Sequence, residues 1–324
     1  MRRRAVLALP LAAPAVIRAH GARAQGGEYP TRPVRMIVPF AAGTTADAIL
    51  RVVAGPLGAA LGQPFVIENR GGANGTLGLA AALRAAPDGY VLGQGTNSNT
   101  AAALHMVRNL PYDPLRDMAI IGGLYVVPTV LLVAPSFPAD DFAGFLATVR
   151  AAPGRHGYGH PHATGAAAGA SVVAIAGLDM TSVPYASGPQ MLNDLLGGQL
   201  PAAFTDISST LPLLRAGRVK VLAISSAARS PVLPEVPTLR ELLPRPVEFV
   251  GWGGMVAPAG TPRPILLKLN AALNRILATP AVTTFLRDIG AENLAGPPEA
   301  FETMLRAQIP LWAEALRAAR VEPE

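Results

Sequence analysis

The sequence contains no cysteine and only two lysines, Lys220 and Lys268. The first absence removes disulfides, thiolate nucleophiles, iron–sulfur clusters, Cys-ligated zinc and a cysteine-linked lipid anchor. Charge of either sign is scarce: 15% of the 324 residues are charged against 50% hydrophobic, the reverse of a chain too polar to bury a core. The formal charge of +6 does not describe the whole chain. Five arginines and no acid lie in residues 1–24, leaving 22 of the 27 basic residues against 21 acidic ones. No basic run with interleaved aromatics occurs, so nucleic acid is not an expected partner. The 33 glycines and 32 prolines have no three-residue period and read as turns.

What is present begins with a leader. Arg2–Arg4, an uncharged stretch Ala5–Ile17 and the small-x-small sequence Ala22-Arg23-Ala24 have the layout of a secretory signal peptide over 1–24. The mature chain is expected to start near Gln25 in a bacterial periplasm, exported by the general route or, through Arg3-Arg4, a twin-arginine one. Met118–Ala139 carries no charge over 22 residues, long enough to span a bilayer. Gly122, Gly123, Pro128, Pro135 and Pro138 interrupt it, so it reads as two or three buried strands of a soluble protein.

From Val34 the pattern alternates short apolar runs with helical stretches: strand 34–38, helix 46–61, strand 65–67, helix 76–85, strand 90–93. This βαβαβ order predicts a parallel sheet covered by helices. A second set follows, with strands at 129–133, 156–158, 181–183, 202–205 and 220–224 between helices at 141–151, 166–176, 189–197 and around Leu211. The fold class is therefore α/β with two lobes. A last strand, 249–256, precedes helices at 265–278, 281–289 and 298–319.

In such sheets ligands bind beyond the carboxyl ends of the strands, which singles out four loops. Phe40, Ala41, Gly43, Thr44, Thr45 and Asp47 lead into a helix whose free N–H groups favour an anion, although the residues by themselves favour an ordinary capped helix start. Thr96, Asn97 and Ser98 lie in a partial glycine motif, weak as a dinucleotide signature but rich in neutral hydrogen-bonding groups. His160, His162, Thr164 and Gly165 form a third loop. With His156 they suggest a metal, but no acid lies nearby to complete a ligand set. Asp206 ends the fourth strand, where it would cap the next helix or hold a ligand amine or hydroxyl. No GxSxG, SxxK, HExxH or Walker loop is present, and Ser171 or Ser225 with distant His and Asp is a combination any chain of this length supplies.

Taken in order, several motifs resemble the substrate-binding proteins of tripartite tricarboxylate transporters, the Bug family. They are Tyr29-Pro30-x-Arg32-Pro33, Pro39-Phe40-x-x-Gly43-x-x-x-Asp47, Ile67-Glu68-Asn69-Arg70-x-Gly72-Ala73, Ala86-Pro87-Asp88-Gly89-Tyr90, Val183-Pro184-Tyr185, Leu195-Leu196-Gly197-Gly198-Gln199 and Gly251-Trp252-x-Gly254-x-x-Ala257-Pro258-Ala259-Gly260-Thr261-Pro262. The resemblance implies a type II periplasmic binding protein, with lobe I from 25–127 and 251–324 and lobe II from 128–250. Such a protein closes by a hinge over a small organic carboxylate and delivers it to membrane permease subunits, without a cofactor, catalysis or metal, as a monomer. It also implies that the four loops, joined by Tyr185 and Gly188, grip the ligand without an arginine clamp. Two departures stand out: Thr44 replaces a second glycine, and 160–165 differs from the family's Ser-Pro-Gly-x-Gly-Ser. A histidine in this loop that contacts the ligand would make affinity depend on pH near 6.5. The competing readings are a periplasmic hydrolase, a binding protein serving a sensor kinase, and the effector half of a transcription regulator, the last opposed by the leader.

Overall fold

An unbroken apolar run has no polar face to show to water and belongs inside a sheet covered on both sides. Val34–Val38 comes close to such a run and forms β1, with four of its five residues buried and only Arg35 turned to solvent, where it pairs with Glu68 of the neighbouring strand. The computed structural model describes residues 29–318; the proposed leader lies outside the described residues. Thr44 caps α1 (Thr45–Leu61) by accepting the Asp47 N–H, and Gly62, at φ 77°, ends it in the left-handed conformation that glycine adopts without strain. β2 (Phe65–Asn69), α2 (Thr76–Leu83) and β3 (Val91–Thr96) complete the βαβαβ unit, with β2 and β3 both parallel to β1.

The chain continues through α3 (Ala103–Met106), β4 (Met118–Val133), α4 (Phe142–Ala151), β5 (His156–His160), α5 (Ala163–Ala176) and β6 (Met180–Pro184). Then come α6 (Gly188–Leu196), β7 (Ala202–Asp206), α7 (Ile207–Arg215), β8 (Lys220–Ile224), α8 (Leu239–Leu242) and β9 (Val250–Pro258). The last elements are α9 (Arg263–Leu277), α10 (Pro280–Asp288), the short β10 (Glu292–Asn293) and α11 (Pro298–Ala318).

The strand order is β2-β1-β3-β9-β4-β7-β5-β6, with β8 and β10 attached to β4. Two parallel groups, β2-β1-β3 and β7-β5-β6, are thus joined through β9 and β4, which run antiparallel to each other and to their outer neighbours. Each parallel group with its helices is one lobe of the two-lobe architecture, and β4 and β9 pass between them.

β4 corrects one expectation. The segment from Met118 forms a single 16-residue strand rather than two or three. Register shifts near Gly122 and Gly123 bend it, and both glycines admit close neighbours: a Cβ would lie 2.7 Å from Asn270 Nδ2 at the first and 2.4 Å from the Leu294 carbonyl at the second. Pro128, which has no N–H to give a ladder, falls where β4 changes partners, opposite Val250 of β9 and one residue before Thr129 meets Asp206 of β7. No single described helix is long and apolar enough to cross a membrane.

The smallness of residues at the start of α5 is dictated by packing. A Cβ on Gly165 would lie 2.3 Å from the Phe204 carbonyl and one on Gly169 2.2 Å from the Tyr158 ring, so α5 lies directly on β5 and β7. Trp252 of β9 is 2% exposed and meets Phe301 of α11 edge-on at 5.5 Å between centroids. This fixes α11 over the strands that connect the lobes.

Candidate ligand-binding cleft

β1, β3, β5, β6 and β7 all end at one place, a cleft of about 830 Å³, within the ~300–1,000 Å³ usual for small-molecule sites. The first lobe contributes Phe40, Ala41, Gly43, Thr44 and Thr45 after β1, and Thr96, Asn97 and Ser98 after β3. The second contributes His162 and Thr164 after β5, Tyr185 and Gly188 after β6, and Asp206 at the end of β7. The structure therefore brings thirteen of the sixteen sequence-predicted residues to one wall of space.

The other three, Asp47, His160 and Gly165, stand outside the lining. Asp47 is buried behind the first loop, accepting from the Gly43 N–H at 2.9 Å, from Arg51 Nε at 3.0 Å and from Asn69 Nδ2 at 2.8 Å. Burial alone would raise its pKa, but the hydrogen bonds from Arg51, Gly43 and Asn69 outweigh burial and hold it below the ordinary carboxylate value. It shapes the loop from behind. Asn69 Nδ2 also donates to the Phe40 carbonyl at 3.1 Å, so one side-chain network holds both ends of the loop. Gly165 donates its N–H to His162 Nδ1 at 3.2 Å and lies against Phe204. His160 Nε2 pairs with Ser182 Oγ at 2.9 Å, and burial, with a smaller effect of His162, pushes its pKa down to about 4.

The three histidines of this region have separate partners, since His156 packs edge-on to Phe137 at 5.7 Å. Among the described residues no group of three metal-ligating side chains converges. Ser225 is 1% exposed and its hydroxyl bonds the backbone carbonyls of Thr129 and Phe249, which leaves no attacking geometry.

Two contacts tie the lobes across the cleft. Thr45 Oγ1 meets Ser208 Oγ at 2.5 Å, and Asn97 Nδ2 donates to Thr164 Oγ1 at 2.6 Å. Asn97 Oδ1 in turn accepts the Trp252 N–H at 3.4 Å. Behind them Asn99 Oδ1 accepts the Thr96 N–H at 2.7 Å and Tyr112 bonds the Asn99 carbonyl at 2.5 Å, so the polar turn after β3 is rigid although almost fully buried.

Several polar atoms of the lining are left over. Thr96 Oγ1, His162 Nε2 and Trp252 Nε1 are buried with no aligned partner among the described residues. A buried donor without an acceptor costs ~1–3 kcal/mol. His162 caps α5 through Nδ1, which makes Nδ1 an acceptor and places the ring proton on Nε2. Nε2 approaches Asp206 Oδ1 at 3.2 Å, but off the N–H direction, so the contact is electrostatic rather than an aligned hydrogen bond. Asp206 stands at the N-cap position of α7, yet its side chain makes no capping bond. It lines the cleft instead, so of the two roles open to it the side chain does not take the capping one. Among the described residues no Arg, Lys or Glu lines the cleft, and Asp206 is the one carboxylate.

Two parts of the wall escaped sequence reasoning. The 71–75 loop lines the cleft, and its Gly72, Ala73, Asn74 and Gly75 all have positive φ (129°, 46°, 53° and 87°). Ala73 and Asn74 pay for a left-handed turn that places backbone rather than side chains at the surface. The Asn74-Gly75 pair was a turn signal, but only the fold shows that this turn reaches the cleft. Tyr125, Val127, Gly251 and Trp252, from the connecting strands, form the other part.

Residues 49–317 match the family described as "Tripartite tricarboxylate transporter family receptor". A structure of the periplasmic binding protein BugD is 33% identical, with a TM-score of 0.87 over 91% of this chain and 100% of that one. An R. palustris protein with adipate is 32% identical, with a TM-score of 0.88 over 91% of this chain and 100% of that one. MatC from Rhodopseudomonas palustris, with bound malate, is 33% identical, with a TM-score of 0.83 over 89% of this chain and 100% of that one.

Proposed function

The chain belongs to the tripartite tricarboxylate transporter receptor family, and from that premise we propose that it captures a small organic carboxylate in the periplasm and delivers it to the membrane permease subunits of such a transporter. The observation that carries the carboxylate is a cleft walled by neutral hydrogen-bonding groups such as those of Thr44, Thr45, Asn97 and Ser98, with no arginine or lysine among the described lining residues. Such groups satisfy carboxylate oxygens by hydrogen bonding, with no salt bridge to break on release. The bound adipate and malate of the R. palustris relatives support the same class. Residues 1–24 act as the cleaved leader, and the lobes divide at 127/128 and 250/251, where β4 and β9 cross between them. The protein works as a monomer and leaves its ligand chemically unchanged.

The test is to express the full chain with its own leader, purify it from the periplasm, and follow thermal unfolding with di- and tricarboxylates, aromatic acids, amino acids and sugars. A ligand at a hundred times Kd stabilises by about 2.7 kcal/mol, well within reach of a melt, and calorimetry then gives affinity. The expected result is selective stabilisation by carboxylates recovered intact, on a protein whose N-terminus lies near Gln25. A tighter neutral sugar, or a hit consumed during incubation, would overturn the reading.

A further inference from the structure

One ionisable pair stands on the cleft wall. His162 Nε2 lies 3.2 Å from Asp206 Oδ1, with the two side chains 16% and 17% exposed, and both line the cleft. The other ionisable groups around it are each held in one state at neutral pH. Tyr125 on β4 stays protonated, its pKa pushed up by burial and then by the charge of Asp206, and so does Tyr185, by burial and then its bond to Asp194. His160 on β5 stays neutral, because burial and then His162 push its pKa down to about 4. Asp47 is buried, but the hydrogen bonds from Arg51, Gly43 and Asn69 prevail and keep it ionised. A proton that joins or leaves the cleft near neutral pH therefore does so at His162 and Asp206. Two opposed influences act on the ring. The Asp206 carboxylate favours imidazolium. The start of α5 opposes it, because Nδ1 accepts the Gly165 N–H at 3.2 Å, which a doubly protonated ring cannot do, and the positive end of the helix repels a cation. A further charge brought into the cleft adds to one side of this contest.

We propose that capture of the carboxylate is coupled to the uptake of one proton by the His162–Asp206 pair. This rests on the carboxylate reading above and deepens it. With the ring neutral, the described lining carries the one negative charge of Asp206 and no arginine or lysine, so an incoming anion meets a like charge, and like charges desolvated together repel. A proton on the pair removes that charge: His162 becomes imidazolium against Asp206, and the wall that the anion meets is neutral overall. The anion in turn stabilises the protonated pair, and the two effects are one coupling free energy seen from its two ends. The proton belongs to the pair rather than to either residue, since groups this close titrate together.

The experiment is titration calorimetry of the intact protein at pH 7.5 with succinate, malate, adipate, benzoate and glutamate, each in HEPES and in Tris. The heats of ionisation of the two buffers differ, so the difference in observed heat counts the protons taken up on binding. The expected result for the tightest binder is an uptake of about half a proton or more per molecule bound, and a Kd that rises about three- to tenfold from pH 7 to pH 8. This measurement stands without any variant. His162→Asn, whose side chain can still accept the Gly165 N–H but does not titrate, is expected to bind with little uptake and a Kd that is flat over the same range. Asp206→Asn removes the negative charge without a proton and is expected to hold at pH 8 the affinity that the wild type shows at pH 7. His160→Gln is expected to keep the uptake of the wild type. Binding by the wild type without proton uptake, uptake that persists in His162→Asn, or uptake that vanishes in His160→Gln overturns the coupling and leaves the carboxylate receptor standing. No binding by any of these acids overturns both.

Discussion

His160 is a residue whose chemistry is spent on the fold rather than on the ligand. Its ring lies against Tyr158 with centroids 6.0 Å apart and bonds Ser182, and burial lowers its pKa to about 4 from an ordinary ~6.5. The unfolded chain consequently takes up this proton first as pH falls. Between about pH 6.5 and 4 the unfolded state binds more protons, so His160 supports stability fully above pH 6.5 and loses that support on the way to pH 4. The full shift corresponds to ~3 kcal/mol, and partial solvent access reduces the expected loss to ~1–2 kcal/mol. Urea unfolding at pH 7.5 and 4.5 should show the wild type losing that much more stability than His160→Gln. Equal losses would mean that the ring is hydrated in the native state.

At the scale of elements, α5 shows how a site is built from residues too small to be noticed. Gly165 and Gly169 let the helix rest on Phe204 and Tyr158, and this close seat brings His162 and Thr164, at its N-terminus, into the cleft. Gly169→Ala places a methyl group inside van der Waals contact with the Tyr158 ring. It is expected to destabilise the protein by ~1–3 kcal/mol, measured as a lower urea midpoint at unchanged slope, and to weaken carboxylate binding by moving the helix start. A variant of wild-type stability would show that Tyr158 swings away freely. These elements were legible in the sequence to different degrees. The β1-α1-β2-α2-β3 unit follows from apolar runs and a Thr-capped helix, because local signals and the final environment agree there. β4 was misjudged because Pro128 reads as a strand breaker unless one knows that its missing N–H falls at a change of partner. The 71–75 turn itself is signalled by Asn74-Gly75, but the left-handed backbone at Ala73 and the turn's place on the cleft wall depend on the folded neighbours and are written in no local pattern.

For the whole molecule the decisive feature is that the lobes are joined by two strands and tied by few side chains. Thr45 with Ser208, and Asn97 with Thr164, bridge the cleft, and each such bond is worth only ~0.5–1.5 kcal/mol net. These ties are weak enough for the lobes to part and strong enough to favour closure once a ligand adds its own bonds, the thermodynamics of a population shift. Asn97→Ala removes one of the two ties, leaves Thr164 Oγ1 without its donor and frees the Trp252 N–H that Asn97 accepts within its own lobe. It is expected to reduce affinity about tenfold at ~1.4 kcal/mol, and to do so by favouring the open arrangement rather than by removing a ligand contact alone. Small-angle scattering separates these causes. A compact chain of this size has a radius of gyration of about 19 Å. The wild type should become measurably more compact on saturation with its ligand, and ligand-free Asn97→Ala should be more extended than ligand-free wild type. Superimposable profiles for all three would mean that the two lobes form one rigid body and that the ligand enters by side-chain motion at the rim, with Thr45 and Ser208 parting to admit it.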